Sequence, residues 1–309
     1  ILHPIGYVAR RTGLTTHVIR VWEFRYSAIE PTRTETNRRL YTDQDIERLT
    51  LLKAATANGH SISSVAGLPD DTLRSILRNA KPTSDDPNQE LPNPGRDVEH
   101  YLATCKKTIP SMNRALLEST LRDASAALST PFFLEQLVVP LMRWVGDEWQ
   151  EGNIRVAHEH FASAVVRDAL YRFGFQDNDD RLPAVIICTP SGNEHEIGAL
   201  LAASAAVIEG WRVVYLGANT PIHEISFAAN DQDVRAVGLS ATYTDDPGRL
   251  VTEMTLLRKL ISPSCPIFIG GSGAGPRAEA FQQNGVQYIA DLKTFRTRLR
   301  ETLESSGAE

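Results

Sequence analysis

Cysteine and long apolar runs are scarce in this 309-residue chain. Its three cysteines, Cys105, Cys188 and Cys265, are widely spaced and form no Cys-x-x-Cys pair, which argues against a disulfide framework and favours a reducing cytoplasm. The longest apolar run, residues 199–208, is interrupted by Ser204 and falls far short of the ~20 residues that span a bilayer. No charged-then-apolar signal segment opens the chain. We therefore expect a cytoplasmic protein without a membrane segment.

Charge is distributed unevenly along the chain. Residues 1–53 hold nine Lys/Arg and six Asp/Glu, which gives a charge of +3. Because the net charge of the chain is −6, residues 54–309 carry −9. A basic N-terminal part on an acidic body fits an arm that meets nucleic acid, and chance fluctuation is the alternative explanation. The length of the chain fits two or three domains.

Hydrophobic periodicity divides the chain into parts of different fold class, α and α/β. Short helices and a basic wing occupy residues 1–78, and four prolines with few apolar residues indicate a linker at 79–97. Residues 98–178 are helical throughout, as in a four-helix bundle, with a kink expected at Pro140. Short apolar strands alternate with helices over 181–306, which predicts a doubly wound, Rossmann-like parallel sheet.

A helix predicted from Thr15 to Phe24 carries side chains suited to reading DNA. Thr16, His17 and Arg20 fall on its outward side. Short donors and a bidentate guanidinium suit base edges and phosphates in the major groove. We therefore interpret this segment as a recognition helix.

The basic segment 33–41 lacks helical periodicity and suits a wing. Arg33, Arg38 and Arg39 would neutralise phosphates there, and a solvated surface charge is the alternative for each one taken singly. Tyr41 completes the candidate DNA-binding set, although a core or hinge role explains it more easily than a stacking role.

Three motifs in this region resemble the MerR-type winged helix-turn-helix. They are I-G-Y-V-A-R-R-T-G-L-T at 5–15, I-R-V-W-E at 19–23 and N-R-R-L-Y-T-D-Q-D-I at 37–46. The resemblance covers about the first seventy residues. It implies a dimer on a palindromic operator, with the two recognition helices about one DNA turn apart.

Polar and small residues gather at one predicted edge of the parallel sheet, where ligands bind in doubly wound domains. His195 lies just past the first strand, between Gly192 and Gly198, which permit close backbone approach. Ser240 ends the third strand, and G-G-S-G at 270–273 ends the fourth, which leaves a channel without side chains. An ordinary surface histidine is the alternative for His195.

These residues resemble the motifs of cobalamin-binding domains. The matches are Asn193-Glu194-His195-Glu196-Ile197-Gly198, Ser240-Ala241-Thr242 and Gly270-Gly271. The resemblance implies that His195 ligates the cobalt from below, and that the cofactor's own base enters a slot lined by the serine motif and the glycines. Asn193 stands where that family usually has an acid, which would raise the basicity of the ligating imidazole. We therefore expect a weaker or more labile His–cobalt bond.

A W-x9-E-H pattern in the helical part resembles the cap of CarH/LitR-type photoreceptors. That resemblance implies that Trp149 covers the adenosyl group while Glu159 and His160 contact it. An indole offers a flat apolar wall and a carboxylate accepts hydrogen bonds from ribose hydroxyls, whereas a bundle-core role is the alternative for the tryptophan. Gln150 replaces a histidine that often follows it in that family. Because an amide is a poor cobalt ligand, we expect no stable bis-histidine photoproduct, with His158 and His160 as possible substitutes.

The order of the three parts resembles a CarH/LitR-type, cobalamin-dependent repressor of the MerR group. It implies a regulator rather than an enzyme. Adenosylcobalamin would bind between the helical bundle and the sheet domain, and in the dark the protein would hold operator DNA as a dimer or tetramer. Photolysis of the Co–C bond would then release the DNA. Two alternatives stay open. One is a MerR-type regulator that needs no ligand or binds another tetrapyrrole, and the other is a corrinoid carrier or mutase subunit.

Overall fold

The chain folds into two compact units, Ile1–Val165 and Val166–Glu309. The computed structural model describes residues 2–14, 16–34, 38–58, 60, 62–78, 94–174, 182–231, 234–242 and 246–306. Most of the predicted linker, residues 79–93, lies outside the described residues.

The first unit opens with helices and a small antiparallel sheet. Its elements are β1 (Leu2–Pro4), α1 (Ile5–Thr12), α2 (Thr16–Tyr26), β2 (Thr32–Arg33), β3 (Arg39–Thr42), α3 (Asp43–Ala57), α4 (Ile62–Val65) and α5 (Asp70–Arg78). β3 lies between β1 and β2. Gly13 turns the chain from α1 to α2 with φ 64°, a left-handed conformation that glycine adopts without strain. A reciprocal capping box between Thr42 and Asp45 starts α3 directly after β3. This order confirms the predicted winged helix-turn-helix.

Four successive helical segments complete the bundle. They are α6 (Pro94–Thr108), α7 (Arg114–Ala127), a composite of α8 (Thr130–Phe132), a π-helical stretch (Phe133–Val138) and α9 (Val139–Gln150), and α10 (Val156–Gly174). The bundle is confirmed, and its first helix begins at Pro94, within the segment predicted as linker. The irregularity expected at Pro140 takes the form of the π-helical stretch before it, because proline has no amide hydrogen for the α-helical ladder.

The inner face of α2 is buried and reaches the end of α7. Ile19 and Trp22 are 0% and 2% exposed. The indole Nε1 of Trp22 donates a 2.6 Å hydrogen bond to the carbonyl of Ala126. That carbonyl belongs to the last turn of α7, where helical carbonyls have no partner within the helix. The tryptophan therefore caps α7 and ties α2 to it.

The second unit is a parallel sheet covered on both faces. Its elements after α10 are β4 (Ala184–Pro190), α11 (Ile197–Ile208), β5 (Arg212–Thr220), α12 (Ile222–Asp231), β6 (Val234–Ser240), α13 (Pro247–Leu260), β7 (Ile267–Gly270), α14 (Ala278–Gln283), β8 (Gln287–Ile289) and α15 (Leu292–Ser306). The strand order is β5-β4-β6-β7-β8, and every neighbouring pair is parallel. Helices α11 and α15 pack together on one face, and α12 and α13 on the other. The predicted doubly wound fold is confirmed.

The centre of this sheet creates a crevice at one edge. From β4 the chain crosses to β5 on one side and then returns to β6 on the other. The loops that follow β4 and β6 therefore leave the sheet in opposite directions, and the gap between them is where doubly wound domains bind ligands.

All three cysteines are buried free thiols. Burial raises the pKa of the Cys105 and Cys188 thiols to about 12, so both stay protonated near neutral pH. Within the described ranges, no helix combines the length and the apolar character needed to cross a membrane.

Trp22→Phe should destabilise the first unit by about 1–3 kcal/mol, because the carbonyl of Ala126 loses its donor while the apolar ring stays. Urea denaturation followed by far-UV circular dichroism measures the change. The matched control is Trp149→Phe, at a tryptophan that is 47% exposed, where we expect a change within ~0.5 kcal/mol. Equal losses in the two variants would refute a capping role for Trp22.

Candidate functional site

The outward face of α2 presents a polar and aromatic stripe. Thr16 and Arg20 are exposed, as predicted, and Phe24 is 89% exposed four residues further along. Residues spaced by four lie on one helix face. Phe24 was not predicted as a site residue, although its spacing from Arg20 would have identified it. The side chain of His17 lies outside what the structure describes.

Glu23 ties the wing to α2. Arg39 Nε lies 2.8 Å from both carboxylate oxygens of Glu23, and Arg33 Nη2 lies 3.8 Å from Oε1. The Glu23 side chain is only 12% exposed, whereas that of Arg33 is 48% exposed, and Arg38 is exposed. Arg33 and Arg38 are thus open to a phosphate backbone, while Arg39 also holds the wing in place.

The prediction that Tyr41 contacts DNA is wrong. Tyr41 is 0% exposed in the core of the N-terminal module, and its hydroxyl donates to Glu23 Oε2 at 3.5 Å. Burial, and then the charge of Glu23, raises the pKa of Tyr41 to about 12, so the phenol remains neutral. The residue supports the wing from inside, as the alternative core role anticipated.

The loop after β4 exposes His195 and is held on one side by Asn219. The side chain of Asn219 accepts a 2.8 Å hydrogen bond from the Gly192 amide and donates one of 2.8 Å to Glu194 Oε1. Its own amide donates to the Asn193 carbonyl at 3.1 Å. Asn219 adopts φ 56°, a left-handed conformation in which asparagine is several-fold enriched. Sequence reasoning missed this residue, because its role arises from the neighbouring strand β5.

Glu196 anchors the other side of the same loop. Its Oε2 accepts a 2.8 Å hydrogen bond from the Tyr215 hydroxyl. Its Oε1 lies 2.8 Å from Arg167 Nε in an ion pair without hydrogen-bond geometry. Burial, followed by this hydrogen bond, raises the pKa of Tyr215 far above its usual value, so the phenol remains a donor. His195 thus lies on a loop fixed at both ends, two residues before α11 begins at Ile197.

Asn193 supplies a buried acceptor two residues before His195 in the chain. The residue is 3% exposed, and its Oδ1 has no hydrogen-bond partner among the described residues. An unpaired buried polar atom costs about 1–3 kcal/mol. A donor brought to this site by a ligand-bound imidazole would offset that cost, so the atom fits a metal-binding histidine beside it.

Small residues bring three strand ends close together. Ser240 pairs with Gly270 across β6 and β7. A Cβ on Gly198 would collide with the Ser240 hydroxyl, and one on Gly271, at φ 98°, would collide with the backbone of Ala241. Ser272 Oγ donates 2.8 Å to the carbonyl of the exposed Thr242. Five of the predicted residues, Gly198, Ser240, Thr242, Gly270 and Gly271, therefore lie together at one sheet edge, and all five have small side chains.

Two of the three candidate residues of the bundle are exposed: His160 has a side-chain exposure of 72% and Trp149 is half exposed, whereas the Glu159 side chain is only 17% exposed. Trp149 is 47% exposed, which argues against the alternative core role. Glu159 Oε1 accepts a 2.7 Å hydrogen bond from Ser163, and Oε2 lies 2.7 Å from His160 Nδ1. His158 Nδ1 accepts from the Arg155 amide at 3.0 Å. Glu159 is thus oriented by its neighbours on α10.

Comparisons with known proteins match nearly the whole chain. The MerR HTH family regulatory protein model matches residues 4–71, and two B12 binding domain models match residues 104–173 and 183–293. The HTH-type transcriptional repressor CarH of Myxococcus xanthus is 29% identical over 279 residues, 88% of this chain and 89% of that protein. The repressor CarA of the same organism is 26% identical over 286 residues, 92% of this chain and 91% of that protein.

A solved structure shares the fold of about two thirds of the chain. The monomethylamine corrinoid protein of Methanosarcina barkeri superposes with a TM-score of 0.56 at 16% identity, over 66% of this chain and 98% of that one. This likeness concerns the fold alone. The family matches alone give the chain a MerR HTH region followed by two B12 binding domain regions, which is the composition of a MerR-type transcriptional regulator with B12-binding domains.

Asn219→Gly should remove two loop hydrogen bonds while keeping the left-handed backbone, at a cost of about 1–2 kcal/mol. Asn219→Ala should cost about 1 kcal/mol more, because alanine is strained at positive φ. Urea denaturation gives both values, and hydrogen exchange at the Gly192 amide should accelerate. The control is Asn230→Ala, whose exposed Nδ2 donates to Leu260 at 3.3 Å. If the Asn219 variants match this control in stability and exchange, the loop does not depend on Asn219.

Proposed function

We propose that this chain is a light-responsive transcriptional repressor that binds adenosylcobalamin and holds operator DNA as a dimer or tetramer in the dark. The observation that carries the proposal is the exposed imidazole of His195, on a loop fixed at the winding reversal of a B12-binding fold. Its similarity to the repressors CarH and CarA supports the regulatory output. No enzymatic role is proposed.

His195 is the proposed lower ligand of cobalt. A histidine that binds a metal through one ring nitrogen carries hydrogen on the other, and that hydrogen needs an acceptor. The unpartnered Oδ1 of Asn193 is the acceptor that this chain offers. Ser240 and Thr242, with Gly270 and Gly271, would line the slot for the cofactor's base, because all four have small side chains.

Trp149, Glu159 and His160 are the proposed contacts to the adenosyl face. The half-exposed indole offers an apolar wall, and Glu159, held by Ser163, can accept from ribose hydroxyls. When bound, adenosylcobalamin supplies a Co–C bond that light cleaves. Gln150 is a poor cobalt ligand beside imidazole, so this position provides no strong replacement ligand after cleavage.

The DNA contacts divide between helix and wing. Thr16, His17 and Arg20 would read base edges, whereas Arg33 and Arg38, with the terminal nitrogens of Arg39, would neutralise phosphates. We propose three domains, residues 1–78, 94–178 and 181–306, with the linker between the first two shortened to 79–93 because α6 begins at Pro94. In a dimer, the two recognition helices would enter successive major grooves of a palindromic site.

A regulator that works without cobalamin is the second candidate. Asn193 and Gln150 are the observations that favour it, since both replace residues that strengthen cobalt ligation in the resembling families. A corrinoid carrier would leave the N-terminal module, which matches the MerR family at residues 4–71, without a role.

The dark protein loaded with adenosylcobalamin should shift a DNA duplex selected by the protein itself from a random library, and illumination should abolish the shift. The His195→Ala variant should lose the absorbance change that accompanies cobalt ligation by the imidazole, and its DNA binding should no longer depend on light. Gel shifts and absorbance spectra, dark and illuminated, measure both. If the wild type shifts DNA equally with and without cofactor, in darkness and in light, the protein is a regulator that works without cobalamin. Cobalamin binding without any DNA binding would indicate a corrinoid carrier.

Asn193→Asp should tighten hydroxocobalamin binding about tenfold, because a charged acceptor raises the basicity of the ligating imidazole. The control is Asn193→Ala, which removes the acceptor and should therefore weaken hydroxocobalamin binding. Absorbance titration gives both dissociation constants. An aspartate variant with unchanged spectrum and affinity would contradict the proposed role of residue 193.

A further inference from the structure

Glu196 occupies a capping position without capping. It precedes Ile197 at the N-terminus of α11, and its side chain makes no hydrogen bond to the first turn. A carboxylate at such a position usually accepts from the free amides and is favoured by the helix dipole. Here the carboxylate instead turns to Arg167 of α10 and Tyr215 of β5. Its contacts therefore serve the tertiary structure.

The partners of Glu196 form a partly exposed cluster. The Glu196 side chain is 16% exposed and that of Arg167 is 42% exposed, although the Arg167 Nε atom itself is buried. Tyr171, from α10, packs edge-to-face on the Tyr215 ring, with centroids 6.2 Å apart at 85°. Solvent therefore screens the ion pair with Arg167 in part. The residue directly after His195 is thus held by both a strand and a helix.

Helix α10 carries both sets of candidate groups. Glu159 and Ser163, which bond each other, are followed at the same four-residue spacing by Arg167 and Tyr171. Residues four apart lie on neighbouring turns of one helix face. A displacement of α10 would therefore act on the His195 loop through the pair of Arg167 and Glu196.

We propose that Glu196 is a positioning residue for the lower cobalt ligand, and that Arg167 is its partner on α10. The inference rests on the proposed cobalamin-binding function. The pair sets the place of the His195 backbone, because Glu196 is its direct neighbour in the chain.

The test is a double-mutant cycle of Glu196→Gln and Arg167→Leu, measured on the full chain. Each protein is labelled with ¹⁵N-histidine and loaded with cob(II)alamin. Electron paramagnetic resonance then distinguishes a protein imidazole, which splits the cobalt lines into doublets, from the ¹⁴N base of the cofactor, which gives triplets. Hydroxocobalamin titrations provide the affinities. The control is Arg249→Leu, which removes a 2.8 Å ion pair with Glu253 on the exposed face of α13.

Each single variant should weaken hydroxocobalamin binding about tenfold and lower the share of doublet signal. The double variant should be no worse than either single, because both remove the same interaction. The control should match the wild type. Arg167→Lys, which keeps the charge but not the guanidinium geometry, replaces Arg167→Leu if the latter fails to fold.

This inference would be overturned if both single variants kept the wild-type share of doublet signal and the wild-type affinity for hydroxocobalamin. It would also be overturned if the losses of binding free energy in the two single variants added up fully in the double variant. Both results leave the proposed function intact, since the wild type would still bind through His195. A wild type that takes up no cobalamin would instead overturn the proposed function and this inference together.

Discussion

The reversal of winding between β4 and β6 is the constraint on which the second unit depends. The chain crosses to β5 in one direction and to β6 in the other, so the loops after β4 and β6 diverge and leave a crevice at the carboxyl edge. An imidazole on that loop is exposed because of topology. The adjacent strand β5 makes this loop rigid through the hydrogen bonds of Asn219 and Tyr215.

Rigidity and strain coincide in this loop. Asn219 is held at positive φ, and Asn193 keeps a buried oxygen without a partner among the described residues. Both features cost free energy in the unliganded chain, and such costs concentrate where a protein prepares a binding geometry. A ligated imidazole would relieve the second of them. A loop fixed by such contacts loses less conformational entropy when it binds a ligand.

In the first unit, the candidate DNA-reading helix α2 is likewise held by contacts to neighbouring elements. The indole of Trp22 caps α7 from within α2, and Glu23, its neighbour, gathers the wing arginines. Two consecutive residues of the recognition helix therefore connect it inward to the bundle and sideways to the wing. Repacking of α7 would be transmitted to the outward face that carries Thr16 and Arg20.

The sequence was sufficient for the architecture, because periodicity, proline content and apolar strands report local preferences that the fold obeys. It also located His195, Ser240 and the glycines, since ligand loops follow strand ends. Tyr41 was misassigned because a basic neighbourhood does not reveal which face of a strand is buried. The roles of Asn219 and Glu196 depend on hydrogen bonds between residues 19 to 27 positions apart. Only the tertiary structure brings such residues together, because strand pairing, and not spacing along the chain, decides which side chains meet.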